Sequence, residues 1–419
     1  MQKSTEEYML EMGKKAKEAS RILSNLGTDI KNKALKNMAV NLILDCDKIL
    51  SANQKDVAAA MGKGISESLI DRLILDKKRI EAMSKAIETI AALNDPINDI
   101  LEMKHMPNDL RIGRMRVPLG VIGIIYESRP NVTADASALC LKSSNAVILR
   151  GGSDAINSNI EIANSLKAAI IKSGLPEATL QYVETTDRAA VDILMKLNDY
   201  IDVLIPRGGA ALINNIVKNS SVPVIKTGVG NCHIFVDESA DFKMAEDIIV
   251  NSKTQKPGVC NAMETLLVHE KIAASFLPSL CQKLHSLSVE LRGCANCKSI
   301  VSTVNLATEE DYETEFLDLI LAIKVVPSLE AAMEHIYKYG TNHSEAIITN
   351  NYINSQRFLK EVDAAAVYVN ASTRFTDGSE FGFGGEIGIS TQKLHARGPM
   401  GVNELTTTKY VIYGEGQIR

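Results

Sequence analysis

The sequence predicts an α/β protein built on parallel sheets, and three features carry that prediction. Residues 118–126 and 146–149 are continuous apolar runs rather than alternating ones, the mark of strands buried on both faces. Stretches of helical periodicity follow them. Glycine-rich turns join strand to helix at Arg150-Gly-Gly-Ser153 and Pro206-Arg-Gly-Gly209, so that strand, turn and helix recur in order. A chain of 419 residues exceeds one ordinary core, so two or three domains are expected.

The elements follow along the chain. Residues 4–93 are helix-rich: Leu35, Met38, Ala39, Leu42 and Ile43 recur at helical spacing, residues 66–75 give a second such face and 82–93 a third. Asn94-Asp-Pro96 closes the run. Residues 110–117 then alternate apolar and basic, which predicts a half-exposed strand. The buried run 118–126 leads through the turn 127–131 to a helix at 134–142, the strand 146–149 and a helix at 155–173. A strand at 180–183, a helix at 189–196, a strand at 202–205 and a helix through 217 continue the alternation. Strands are expected at 222–226 and 233–236, with a glycine-dense boundary between domains at 228–231. A helix at 244–252 is broken by Pro257-Gly258, a buried strand follows at 266–268, and a second α/β stretch runs to about residue 367. Residues 407–413 read as a terminal strand.

Composition excludes several classes of function. Hydrophobic residues make up 45% and charged residues 23%, ordinary for a soluble globular chain. The net charge of -5 points to neither a nucleic-acid nor a membrane partner. No apolar run reaches the ~18 residues needed to span a bilayer. Residues 1–7 are acidic and helical in character, unlike a secretory signal. Seven cysteines, an odd number scattered along a long chain, argue against a disulfide framework and for a reducing cytoplasm. Cys294-Ala-Asn-Cys297 lacks the second ligand pair of a structural zinc site and reads as a surface loop, so no metal is expected.

Cys260 is the candidate nucleophile. It lies between a broken helix and a short strand, at a turn or in the first turn of a short helix. A helix N-terminus stabilises a thiolate, and Lys253 and Lys256 add positive charge nearby. A buried, inert cysteine is the competing reading. The turns at Arg150 and Arg207 share one design, in which glycines bring the backbone close to a ligand and a helix N-terminus faces phosphate. A nucleotide cradle and a tight connection with an exposed arginine are both compatible with it. The glycine pattern Gly382-Phe-Gly-Gly-Glu-Ile-Gly388 does not follow a clear strand and adds little.

Long strings then converge on a family. They include residues 117–133 with Pro118-Leu-Gly-Val-Ile-Gly123, residues 140–153, and Ile205-Pro-Arg-Gly-Gly209. Lys256-Pro-Gly-Val-Cys-Asn-Ala262, Glu315-Phe-Leu-Asp-Leu319, residues 369–378 and residues 388–401 complete the set. On these the chain resembles the gamma-glutamyl phosphate reductases of the aldehyde dehydrogenase superfamily over essentially its whole length. The resemblance implies an aldehyde-dehydrogenase-like fold of two Rossmann-like parallel-sheet domains with a small β extension for oligomerisation. It implies an NADPH-binding domain from 1–106 and 124–230, a catalytic domain from 231–370 and an extension from 107–123 and 400–419. The implied reaction is NADPH-dependent reduction of L-glutamyl 5-phosphate to glutamate 5-semialdehyde, through a thioester on Cys260. Asn131 matches an oxyanion-hole amide. Arg150, Gly151, Gly152 and Ser153 match contacts to the adenosine ribose and 2′-phosphate, Gly208 and Gly209 a turn over the pyrophosphate, and Glu315 the partner of the nicotinamide ribose. Arg397 and Arg129 are implied substrate contacts. Lys226 stands where hydrolytic relatives carry a water-activating glutamate; it is either a contact to the leaving phosphate or a solvent-facing lysine. No P-loop is present, so a separate glutamate 5-kinase must supply the acyl phosphate. A homodimer is expected. An acid-forming semialdehyde dehydrogenase and a catalytically silent scaffold are the rival readings.

Overall fold

The structure, a computed structural model, describes residues 4–64 and 67–419, and side chains at all of these but 67–69. The first residues of the acidic N-terminus and of the helical face at 66–75 therefore lie outside the described residues. The chain divides into two compact units: Met1–Thr227 with Gly382–Gly388 and Met400–Arg419, and Gly228–Phe381 with Ile389–Pro399.

The first unit opens with helices. Ser4 caps Thr5–Leu23 with a full capping box to Glu7, which satisfies two of the helix's orphan N–H groups. Thr28–Leu44 packs against Lys77–Ala92 and Ile156–Lys172 through Leu35, Met38, Ala39 and Leu42, all buried. Exposed Ile43 is the one member of the predicted face outside this core. Strands β1 (Ile100–His105), β2 (Arg111–Pro118), β3 (Val121–Tyr126), β4 (Ala146–Arg150), β5 (Leu180–Tyr182) and β6 (Val203–Arg207) follow. The last four form a parallel sheet in the order β5-β4-β3-β6, and every residue of β3 and β4 is buried. The apolar run 118–126 is thus two elements rather than one strand. Gly120, with φ +125, takes the chain from β2 into β3, and a side chain there would strike Asp202.

The predicted strand at 222–226 is absent. Only an isolated bridge joins Val224 to Leu204, and Pro223 contributes its carbonyl to the Leu204 N–H but has no N–H to return. β2 pairs antiparallel with both β1 and the C-terminal strand Thr406–Tyr413, in register from Thr406 opposite Pro118 to Tyr413 opposite Arg111. The mostly exposed β1 gives no strand signal in the sequence.

The second unit is built on a parallel seven-stranded sheet. Its strands are β7 (Cys232–Val236), β8 (Met263–His269), β9 (Glu290–Gly293), β10 (Asn305–Leu306), β11 (Ile320–Val326), β12 (Ser344–Ile348) and β13 (Ala366–Val369). They lie in the order β10-β9-β11-β8-β7-β12-β13. Alternate residues of β7 enter opposite cores, Ile234 and Val236 beside Phe276 and Leu280, and Phe235 beside Ile336 and Phe358. Helices cover both faces, which is why the strands read as continuous apolar runs. A two-stranded ladder of β14 (Ile389–Ser390) and β15 (Gly398–Pro399) completes the unit. Cys294 and Cys297 do not form a surface loop. Cys294 precedes the helix Ala295–Ile300, and Cys297 is wholly buried in the core, where burial pushes its thiol up to about 12. Among the described residues no helix is long and apolar enough to cross a membrane.

Candidate active site

Cys260 lies in the turn between the helix Phe242–Thr254 and β8, and it is half-buried. A strand follows it, so the cysteine sits in a turn and does not open a helix of its own. Lys253 does not serve it either. That side chain is wholly buried, with Nζ 2.6 Å from Glu264 Oε2. Burial pushes the Glu264 carboxyl up to about 7 and the Lys253 ammonium down, each opposed by the charge of the other. The pair is therefore a buried fixture beneath the turn.

The backbone around Cys260 is closely held. A Cβ on Gly230 would lie 1.5 Å from the Cys260 carbonyl oxygen, so only glycine fits there. The Cys232 thiol donates to that same carbonyl at 3.2 Å. Burial raises the Cys232 thiol well above its ordinary range, which keeps it a neutral donor. The Gly230 N–H donates to Glu315 Oε1 at 2.8 Å. The Leu317 N–H donates to Glu264 Oε1 at 3.1 Å. Gly230 thus touches the cysteine turn through its Cα and the Glu315 carboxylate through its N–H. Two sites called separately on the sequence share one neighbour.

A further loop, absent from the sequence assignments, closes on the turn. Thr373 Oγ1 donates to the Asn261 carbonyl at 2.7 Å, and Asn261 Nδ2 donates to the Thr376 carbonyl at 2.9 Å. The Arg374 guanidinium donates to Asn261 Oδ1 and, at 3.1 Å, to Gln255 Oε1. The signal was present in the string 369–378, but spacing alone could not tie Arg374 to a residue more than a hundred positions earlier. Arg397 is half-buried and paired with Asp363 at 2.7 Å. Lys393 and Arg397 together hold the Asp363 carboxyl below its ordinary range. Nε and Nη2 of Arg397 are buried without a hydrogen-bond partner, leaving donors for a carboxylate.

The remaining candidates belong to the first unit. Asn131 opens the helix Asn131–Lys142, is exposed, and donates from Nδ2 to Asp135 at 3.0 Å. Arg129 is half-buried in the turn after β3. Arg150 is buried at the end of β4; its guanidinium donates to the Gly151 carbonyl and, at 3.2 Å, to the Thr186 carbonyl. It is therefore not the exposed arginine of the competing reading. A side chain at Gly151 would strike Asn159 and Tyr182, so that glycine answers to packing. Gly152 lies against the Ser128 backbone, and Ser153 is exposed in the first turn of the 3-10 helix Ser153–Ala155. Gly208 and Gly209 lead into the helix Ala210–Asn219, and the Gly209 N–H donates to the carboxylate of Glu127 at 2.9 Å. A Cβ on Gly208 would lie 2.6 Å from that carboxylate oxygen. An internal anion thus stands where the sequence suggests a pyrophosphate oxygen. The turn accepts negative charge, so phosphate fits its chemistry. Lys226 is exposed. Among the described residues no group of three or more His, Cys, Asp or Glu side chains could hold a metal ion.

Comparison with known proteins gives a consistent picture. The aldehyde dehydrogenase family profile matches residues 1–298. A gamma-glutamyl phosphate reductase from Caldanaerobacter subterraneus subsp. tengcongensis is 64% identical over 406 residues, covering 97% of this chain and 98% of that protein. The gamma-glutamyl phosphate reductase of Clostridium kluyveri is 61% identical over 411 residues, covering 98% of each. The crystal structure of gamma-glutamyl phosphate reductase from Thermotoga maritima superposes with a TM-score of 0.95 at 54% identity, covering 98% of this chain and 99% of that one.

Proposed function

Since the chain belongs to the aldehyde dehydrogenase family, in its gamma-glutamyl phosphate reductase branch, we propose that it reduces L-glutamyl 5-phosphate to glutamate 5-semialdehyde with release of phosphate, in proline biosynthesis. The observation that carries this reading is a half-buried cysteine, in a turn fixed on all sides, within a chain alike over its full length to reductases of that name.

The Cys260 thiolate attacks the acyl carbon and phosphate leaves, giving a thioester. Asn131 donates its amide to the oxyanion that forms at the carbonyl. The family uses a nicotinamide cofactor, and NADPH supplies the hydride that takes the thioester to a thiohemiacetal. Gly208 and Gly209 hold its pyrophosphate, Glu315 its nicotinamide ribose, and the turn from Arg150 to Ser153 its adenosine ribose and 2′-phosphate. Support for Glu315 is its hydrogen bond to Gly230, which itself abuts the Cys260 carbonyl. The thiohemiacetal collapses to the aldehyde and restores the thiol. Arg397, with two buried donors unused, takes the substrate α-carboxylate, and Arg129 and Lys226 are the proposed contacts to its phosphate. No carboxylate stands at Lys226 to activate water, which suits an enzyme that must reduce its thioester rather than hydrolyse it. A glutamate 5-kinase supplies the substrate. The C-terminal strand, at a sheet edge with Tyr410 and Ile412 exposed, pairs with a second copy in a homodimer.

The test runs the reaction backwards. Pyrroline-5-carboxylate, in equilibrium with the semialdehyde, should reduce NADP only when phosphate is present, and Cys260→Ser should abolish that reduction while the protein stays folded. Phosphate-independent reduction would instead mark an acid-forming dehydrogenase, and full activity in the Ser variant would remove the thioester.

A further inference from the structure

The loop carrying Arg374 grips the cysteine turn from both sides. Before the cysteine, Ser372 Oγ meets Ser252 Oγ at 2.7 Å and Arg374 Nε donates to Gln255 at 3.1 Å. After it, the Arg374 guanidinium, the Arg374 carbonyl, Thr373 Oγ1 and the Thr376 carbonyl all bond to Asn261, the residue next to Cys260. These contacts fix a planar cation against the side chain of Asn261, the residue next to the proposed nucleophile. The side-chain acceptors of the guanidinium, Asn261 Oδ1 and Gln255 Oε1, are neutral amides, so they fix the fork without cancelling its charge. The charged and titratable groups that face it are Asp377 and Glu380 from its own loop, Cys260 from the turn, and Cys232 from β7. Partial burial disfavours its charge, and negative charge at Asp377, Glu380 or Cys260 favours it, while Cys232 stays a neutral donor. By reciprocity the guanidinium favours a thiolate at Cys260.

We infer that Arg374 holds the anion that stands at Cys260, the thiolate before acyl transfer and the departing phosphate after it. The inference rests on the thioester reading above. In that step sulfur forms a bond to the acyl carbon, the bond from that carbon to the phosphate oxygen breaks, and the electron pair leaves with the phosphate. Negative charge passes from sulfur to phosphate over a few ångströms. A planar fork clamped in place can serve both ends of that transfer without moving.

The experiment follows alkylation of Cys260 by iodoacetamide across pH, read by peptide mass spectrometry, with and without inorganic phosphate. Iodoacetamide is neutral, so its rate reports the thiolate fraction. Arg374→Gln keeps an amide in place of the cation. It should move the alkylation midpoint up by about one pH unit, a tenfold loss of thiolate at neutral pH, and weaken protection by phosphate by a similar factor. Arg374→Lys keeps the charge but not the fork, so its midpoint should stay near wild type while phosphate protects it less well. An unchanged midpoint and unchanged protection in Arg374→Gln overturn the inference. If that variant fails to fold, a midpoint raised in a folded Arg374→Lys overturns it as well. The thioester reading fails separately: activity surviving in Cys260→Ser would sink it whatever Arg374 does.

Discussion

The two units treat their polar turns in opposite ways. In the first, the glycine turns are occupied by the protein itself: Glu127 sits on the Gly209 N–H, and Arg150 is folded onto the carbonyls of Gly151 and Thr186. In the second, the cysteine turn is braced from outside by Gly230, Cys232, Thr373 and Arg374, while Cys260 itself remains half-exposed. The proposed nucleophile is preset, and the turn proposed for the pyrophosphate already holds an anion of the protein's own. Fixing a nucleophile ahead of the substrate saves the entropy of ordering it during reaction. A cofactor that must leave after every turnover gains from a turn that can satisfy itself.

The sharpest way to break this contrast is to remove the fixture under the cysteine turn. Lys253 and Glu264 are both wholly buried and 2.6 Å apart. Lys253→Met leaves an uncompensated buried carboxylate and should cost about 3–5 kcal/mol in a denaturant melt. The double variant Lys253→Met/Glu264→Gln should recover most of that loss. It removes both charges yet keeps an oxygen to accept the Leu317 N–H. The pH dependence has a defined sign. The Glu264 carboxyl is raised from 4.5 to about 7 in the folded state, so between those pH values the folded protein holds a proton the unfolded chain has lost. Its contribution to stability therefore falls as pH rises through that window. The double variant should lose that slope, and a slope that persists would assign it to other groups.

The next test compares the units through their proposed catalytic partners. Asn131 is exposed and donates its amide to Asp135 within its own helix. If it turns to the reacting carbonyl, Asn131→Ala should lower kcat about 10²–10³-fold. The alkylation rate of Cys260 should not move, because the cysteine turn is braced within its own unit. A fall in alkylation with no fall in kcat would reverse the assignment.

Much of this was legible in the sequence, and the failures have physical causes. Parallel strands buried on both faces write themselves as continuous apolar runs, so β3, β4, β6 and β8 could be read directly. The break at Gly120 could not, because apolar residues flank it and only the backbone shows φ +125. The edge strand β1 escaped because its residues, Ile100 to His105, are mostly exposed and give no period. Cys260 stands out through its neighbours in sequence, but the groups that brace its turn do not. Lys253 is near the thiol in number, which suggests a charge for it; in space it serves Glu264. Arg374 is distant in number and carries no signal of a role at Cys260 in the sequence, although it bonds to the residue beside the cysteine. Sequence proximity is a poor guide to which charge meets which anion.

The smallest expected effect concerns Glu127, and it bears most directly on the contrast between the units. Its carboxylate accepts from the Gly209 N–H at 2.9 Å, at the start of the helix Ala210–Asn219. A pyrophosphate arriving at that turn meets a like charge and an N–H already engaged. If the turn takes the pyrophosphate as proposed, both oppose binding, and Glu127 sets a threshold for the cofactor. A hydrogen bond to a charged acceptor is worth about 1.5–3 kcal/mol before the cost of exposing its donor is counted, and this one is exposed to water, so the lower end applies. Glu127→Ala should therefore lower the KM for NADPH by up to about tenfold, with kcat unchanged or reduced where cofactor release limits turnover. NADH should gain as much as NADPH, because both carry the pyrophosphate and only the second carries the 2′-phosphate. A gain confined to NADPH would move the contact to the 2′-phosphate instead. A KM unchanged for both would show that Gly208 and Gly209 do not meet the pyrophosphate, and the carboxylate would then be an ordinary helix cap.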